Sequence, residues 1–282
     1  MDDGDLGDFY KLSAEEQKRY LTVSQQMTKF ARDHAIPIAF NPPLSTFAIP
    51  HEGKIYTFAL PQTLRKNGAT GCVLQLQSGV FIVTAEHVLQ GYEERLSQGE
   101  VLNWQVGKLP PFDPLARVAW RGNRKYNPKG KDIVFFGISE KEAKDACAGR
   151  THILSASTGW PPPAPQVGQT VLLAGYPNEL REFDNGRMKP GSFSALFGVT
   201  TSIGDGSFKC RFAYPDLLSF DKQPLPMKEL HANLGGMSGG PVFGVGDMSY
   251  PLVGVITDRC GAFGDTDTIV IEAVEGIPSS FR

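Results

Sequence analysis

The sequence predicts an all-β chain with a helical extension at its N-terminus. From Thr57 onward, short apolar alternations are bounded by Gly, Pro and Asn, the pattern of half-buried strands separated by turns. No region alternates strand-like and helix-like runs in the manner of a βαβ unit. Helical periodicity is strongest near the start of the chain.

Residues 1–10 are acidic and read as a frayed end. Ser13-Ala-Glu-Glu16 is a capping box, in which a hydroxyl and a carboxylate satisfy first-turn N–H groups. Beyond it, Tyr20, Val23, Met27, Phe30 and Ala31 recur at helical spacing and define one apolar face. The helix should stop before Pro37, because the residue preceding a proline avoids the α region. Its apolar face either packs on the rest of the fold or receives a protein partner or a second copy of the chain. The sequence leaves both readings open.

Strand-like runs follow at Gly71–Gln77, Val80–Thr84, Val101–Val106, Ala116–Trp120, Ile133–Ile138, Thr170–Ala174, Ser192–Thr201, Phe208–Phe212, Pro241–Phe243, Leu252–Thr257 and Thr268–Glu272. Between them, Ala156-Ser-Thr-Gly-Trp-Pro-Pro-Pro-Ala-Pro165 is the best boundary, since its prolines favour a stiff extended connection. The resulting division is 1–45 for the extension, 46–160 for a first unit and 161–282 for a second. Arg211–Leu234 carries three prolines and reads as a surface loop.

Composition narrows the function. A net charge of −2 without a long basic run gives no nucleic-acid surface. No apolar stretch approaches the roughly 18 residues of a membrane span, and the acidic start is unlike a signal peptide. A cytoplasmic location is the expectation. Cys72, Cys147, Cys210 and Cys260 are far apart and lack any Cys-x-x-Cys pattern, so neither a metal site nor a redox motif is expected. No cofactor is implied.

The most informative run is Asn233-Leu-Gly-Gly-Met-Ser-Gly-Gly-Pro-Val-Phe243. Alone, it fits a glycine-rich turn before a strand as well as it fits a nucleophile loop. A nucleophilic Ser238 would need a base, and the base an orienting carboxylate. Of the five histidines, only His87 follows a strand-like run and opens a short helical turn, within Gly-Val-Phe-Ile-Val-Thr-Ala-Glu-His-Val-Leu. Asp132 leads directly into the apolar run Ile-Val-Phe-Phe, where a carboxylate is costly without a partner. Taken singly, His87 could be a turn histidine and Asp132 a strand-start cap.

The three in this order resemble the trypsin/chymotrypsin superfamily of serine peptidases. Thr84-Ala-Glu-His87 is similar to that family's Thr-Ala-Ala-His, Asp132-Ile-Val to its Asp-Ile-Ala, and Gly236-Met-Ser-Gly-Gly-Pro241 to its Gly-Asp-Ser-Gly-Gly-Pro. Val167–Pro177 and Leu252–Thr257 resemble segments of the bacterial HtrA-like branch, and no PDZ domain follows before Arg282. The resemblance spans about residues 68–275. It implies two six-stranded antiparallel Greek-key barrels of chymotrypsin type, with His87 and Asp132 from the first and Ser238 from the second.

By resemblance, Ser238 is the nucleophile, His87 the base and Asp132 the orienter. The N–H groups of Gly236 and Ser238 form the oxyanion hole. Thr257 pairs with an extended protein or peptide substrate, Ala232 lies at the base of the primary pocket, and Asp258 and Arg259 lie near its mouth. Ala232 supplies no counter-ion for a basic side chain, which favours a small or medium apolar one. Arg259 or His231 would instead select an acidic one.

Two departures stand out. Where relatives pair a cysteine upstream of the histidine with one just after it, Val88 follows His87, so Cys72 lacks that partner. Where many relatives carry an aspartate that binds a new N-terminus, this chain has Met237, which cannot hold an ammonium. Two rival readings share the motifs: an inactive protease-fold binding module, and an esterase-like hydrolase, because Gly236-Met-Ser-Gly-Gly240 also satisfies Gly-x-Ser-x-Gly.

Overall fold

The computed structural model describes residues 13–41, 46–51, 54–59, 68–124, 126–127, 130–147, 152–156, 159–177, 182–184, 187–189, 194–213, 217–219, 235–246, 250–263, 266–278 and 281. The acidic start, His51's side chain, His231, Ala232 and most of the anticipated loop up to Leu234 lie outside them.

Helix α1, Ala14–His34, begins at the anticipated capping box: Ser13 Oγ accepts from Glu16 N, and Ser13 N donates to the Glu16 carboxylate. Its buried face is the anticipated one in part: Met27 and Ala31 are buried and Phe30 packs against the core. Ser24, Met27, Thr28 and Ala31 point inward, while Val23 is exposed. Small side chains let the helix approach the barrel closely, and Thr28 satisfies its hydroxyl within the helix by donating to Ser24 O at 2.7 Å. Phe30 then meets Phe243 edge-on with ring centroids 5.1 Å apart.

The first sheet contains β1 (Ile36–Asn41), β4 (Gly68–Leu76), β5 (Gly79–Thr84), β6 (Asn103–Val106), β7 (Val118–Arg121) and β8 (Val134–Ile138) in the order β6-β1-β4-β5-β8-β7, all antiparallel. The short β9 (Leu154–Ser155) adds to β4 in parallel. Hairpin β2 (Thr46–His51) and β3 (Lys54–Ala59) stands apart. β1 falls within the stretch assigned to the N-terminal extension, so the first sheet starts earlier than residue 46.

The second sheet contains β10 (Thr170–Gly175), β13 (Ser194–Ile203), β14 (Ser207–Ala213), β16 (Pro241–Gly244), β17 (Leu252–Phe263) and β18 (Thr266–Ala273). Their order is β10-β16-β17-β18-β14-β13, and β13 pairs back with β10, closing a six-stranded barrel. Hairpin β11 (Glu182–Asp184) and β12 (Arg187–Lys189) is separate, and β15 (Leu217–Ser219) extends β13.

Numbered by chain order within each sheet, both follow the sequence 4-1-2-3-6-5, with the fourth strand pairing the first across a long connection. This is the Greek-key pattern, used twice. The expected pair of six-stranded antiparallel Greek-key barrels is present, one closed and one open. Among the described residues no pairing joins β6 to β7, so the first sheet is a half-barrel. Helix α2 (Glu86–Ser97) and helix α3 (Glu140–Ala146) fill it instead: Leu89, Tyr92, Ala143 and Ala146 pack with Ile38, Ile82, Trp104 and Phe136.

Alternating residues of one strand serve two cores. Val73 faces the half-barrel interior, while Cys72 and Leu74 join Phe135, Leu172, Phe243 and Val255 in a core between the sheets. Trp160, from the proline-rich connection, is buried in that same shared core. Cys72, Cys147 and Cys210 are buried free thiols, and burial pushes the Cys72 thiol up to about 12. No helix among the described residues is long and apolar enough to cross a membrane.

Candidate active site

Strand β5 ends at Thr84, and Ala85 turns the chain into α2. Ala85 has no side chain to cap the helix, so the first-turn N–H groups need an outside acceptor. Asp132 provides it. Its Oδ1 accepts from the His87 backbone N at 2.8 Å, and its Oδ2 lies 2.8 Å from His87 Nδ1. An ionised carboxylate can only accept, so Nδ1 carries the hydrogen, and in the neutral ring the lone pair is then on Nε2. One carboxylate thereby fixes both the backbone and the ring of His87.

Burial opposes ionisation of Asp132, but the hydrogen bonds and charge of His87, helped by Arg124, outweigh it and hold the carboxyl below its ordinary value. Asp132 stays an anion while largely enclosed.

Its approach is braced by charges that the motifs gave no sign of. Glu86, fully buried, accepts from Arg121 Nε at 2.6 Å and from Arg124 N at 2.9 Å. Arg124 donates to Glu272 Oε2 of β18 at 2.6 Å, and Lys131 Nζ lies 3.6 Å from Glu272 Oε1. Burial pushes the Glu272 carboxyl up, while Lys131 and Arg124 pull against it. The loop that delivers Asp132 is thus clamped from the helix on one side and the second barrel on the other.

Ser238 lies in the loop before β16. Gly239 N donates to Ile256 O at 2.7 Å and Gly240 N to Met237 O at 2.8 Å. Gly239 has φ +79°, and a Cβ there would fall 1.9 Å from Thr84 Oγ1 and 2.7 Å from Ala85 N. Only glycine lets this loop sit against the strand end that leads into His87. His87, Asp132 and the Ser238 loop therefore converge where the two sheets meet. Among the described residues, neither the Ser238 hydroxyl nor its N–H makes a hydrogen bond, and no hydrogen bond joins Ser238 to His87.

Of the anticipated specificity residues, Thr257 is buried on β17 and its hydroxyl donates to Val270 O at 3.3 Å. Asp258 is exposed. Arg259 continues the same strand, with its side chain outside the described residues.

Sequence reasoning missed Thr70, whose buried hydroxyl donates to Gly236 O at 2.7 Å and accepts from Tyr176 N at 2.9 Å. A hydroxyl amid the small and apolar residues Gly68-Ala-Thr-Gly-Cys-Val73 was the available signal. It named no partner.

No protein-family model matches the sequence, and no curated protein matches it either. Similar solved structures include the thermostable serine protease AL20 from an extremophilic microorganism, at 11% identity and TM-score 0.43 over 86% of this chain and 92% of that one. Another is the protease Anisep from Arthrobacter nicotinovorans, at 15% identity and TM-score 0.41 over 84% and 89% respectively. Likenesses this distant add nothing to the strand order and site geometry described above.

Proposed function

We propose that the chain is a serine endopeptidase of the trypsin/chymotrypsin type, working in the cleft between the half-barrel and the closed barrel. The observation that carries the reading is the double grip of Asp132 on His87, with the Ser238 loop seated against the strand end that leads into that histidine. An imidazole held with Nδ1–H on a carboxylate presents Nε2 as the base a hydroxyl needs.

In this reading His87 Nε2 takes the proton of Ser238 as Oγ attacks a peptide carbonyl, then delivers it to the leaving amine. Asp132 stabilises the imidazolium formed in between. Water repeats the sequence to release the acyl group from Ser238. The N–H groups of Gly236 and Ser238 hold the oxyanion. Such serine–histidine contacts are often long without substrate and tighten in the complex. The substrate is an extended segment laid along β17 near Thr257, with Ala232, Asp258 and Arg259 shaping the side-chain preference. Kinship to the HtrA-like branch and a cytoplasmic setting belong to the same proposal.

The test is labelling with a fluorophosphonate, followed by peptide mapping and by cleavage of a proteome-derived peptide library. Wild type should carry the label on Ser238 and cut peptides, and Ser238→Ala should lose both. A folded wild-type chain that takes no label would instead be a binding module. Ester turnover without any peptide cleavage would favour the esterase reading.

A further inference from the structure

Met237 stands where an ion pair with a new N-terminus could not form, so something else must hold the Ser238 loop. We propose that Thr70 is the positioning residue that locks this loop, acting from the other sheet through its hydroxyl. The inference rests on Ser238 being the nucleophile and says how the loop that carries it is kept in shape.

Thr70 is fully buried in β4 of the half-barrel and touches the loop at two peptide groups. Its hydroxyl donates to Gly236 O at 2.7 Å, and its backbone N donates to Ser238 O at 2.9 Å. The hydroxyl's acceptor side is filled by Tyr176 N at 2.9 Å, which orients the hydrogen toward Gly236. Thr70 is itself fixed, because Thr84 Oγ1 donates to Thr70 O at 2.7 Å.

The consequence lies in the peptide planes. Carbonyls of three successive residues are each committed: Gly236 to the Thr70 hydroxyl, Met237 to Gly240 N, and Ser238 to Thr70 N. A peptide whose oxygen is held inward cannot rotate that oxygen into the site. The Ser238 N–H, without a hydrogen bond among the described residues, stays available for an anion. The Met237 side chain completes the lock from the second barrel. It is fully buried, and a Cβ on Gly175 would lie 2.9 Å from its Cγ, so the glycine makes room for it. A neutral hydroxyl relay and an apolar anchor thus replace a charge pair that would depend on chain cleavage.

Thr70→Val keeps the shape and removes the hydroxyl, and Thr70→Ser restores it. Three readings are taken: the rate of fluorophosphonate labelling, kcat and KM on a p-nitrophenyl ester, and deuterium uptake by the peptide spanning residues 235–240. Thr70→Val should label and turn over about ten- to a hundredfold more slowly, with KM nearly unchanged and faster uptake in the loop. That is somewhat less than the loss of an oxyanion donor outright. Thr70→Ser should recover most of the rate and the slow uptake, which a mere packing role of the γ-methyl would not give. Should Thr70→Val fail to fold, Thr70→Ala takes its place under the same expectations. Wild-type rates and uptake in the hydroxyl-free variant would overturn the proposal. If wild type takes no label at all, the peptidase reading falls, and the uptake comparison still decides whether Thr70 holds the loop.

Discussion

In the barrel built from residues 170–273, β10 pairs with both β13 and β16, so every strand of the ring has a neighbour on each side. In the sheet built from residues 36–138, the same strand order stops at β6 and β7, and helices α2 and α3 plug the interior. Ladder hydrogen bonds close the one; side chains of Leu89, Tyr92, Ala143 and Ala146 close the other. The strand end and helix start that carry His87, and the Asp132 that grips it, all lie in the unclosed half. The closed barrel contributes one loop, held from outside by Thr70 and by the cramped seat of Gly239. The comparison teaches that one strand order can be closed either by ladder hydrogen bonds or by helix side chains packed inside it.

The largest expected effect tests the chemistry on the open side. Asp132→Asn keeps the shape but cannot hold the Nδ1–H tautomer while also capping α2. It should lower kcat by about ten-thousandfold, measured on any substrate that Ser238 turns over. A loss below tenfold would show that the grip on His87 is structural only.

Next comes the plug. Leu89→Ala empties a fully buried position in the half-barrel, and Leu173→Ala does so in the closed barrel. Each should cost about 3 kcal/mol. Hydrogen exchange separates them: Leu89→Ala should release amides of β6 and β7 well before those of the ring, while Leu173→Ala should accelerate exchange around the whole ring together. Equal patterns would erase the distinction drawn above.

The smallest effect concerns the helix docked on the closed barrel. Burial, the largest influence on His34, lowers its pKa below the ordinary 6.5, against the Phe30 carbonyl and Asp33, which favour the proton; His152 and Lys29 disfavour it. The unfolded chain therefore binds this proton more readily than the folded one. Stability should be full above pH 6.5 and decline as pH falls from there toward the lower folded value. Urea midpoints at pH 7.5 and 5.5 measure it, and the decline should shrink in His34→Phe.

Much of this was legible where chemistry is local. The capping box at Ser13, the strand before His87, the carboxylate heading β8 and the turn around Ser238 each declare themselves within a few residues. Other features depend on distant partners. Helix α2 reads as a short turn, because its inward residues Val88, Leu89 and Tyr92 matter only once a half-barrel surrounds them. Helix α3 was missed although Ser139 and Glu142 form a capping box. Strand β1 is hidden because its partners, β4 and β6, begin about 30 and 60 residues further on. Thr70 meets Gly236 across 166 positions, which no local pattern encodes.

One residue, Ala35, separates a helix docked on the closed barrel from a strand embedded in the half-barrel. A tether that short works as a gauge block. Any sliding of the two halves past each other would have to pull α1 off Phe243 or strip β1 from its neighbours. The two halves are therefore held in one relative placement where α1 and β1 join. On the proposed peptidase reading, discrimination among peptides would come from the side chains lining the site rather than from halves that close on the substrate.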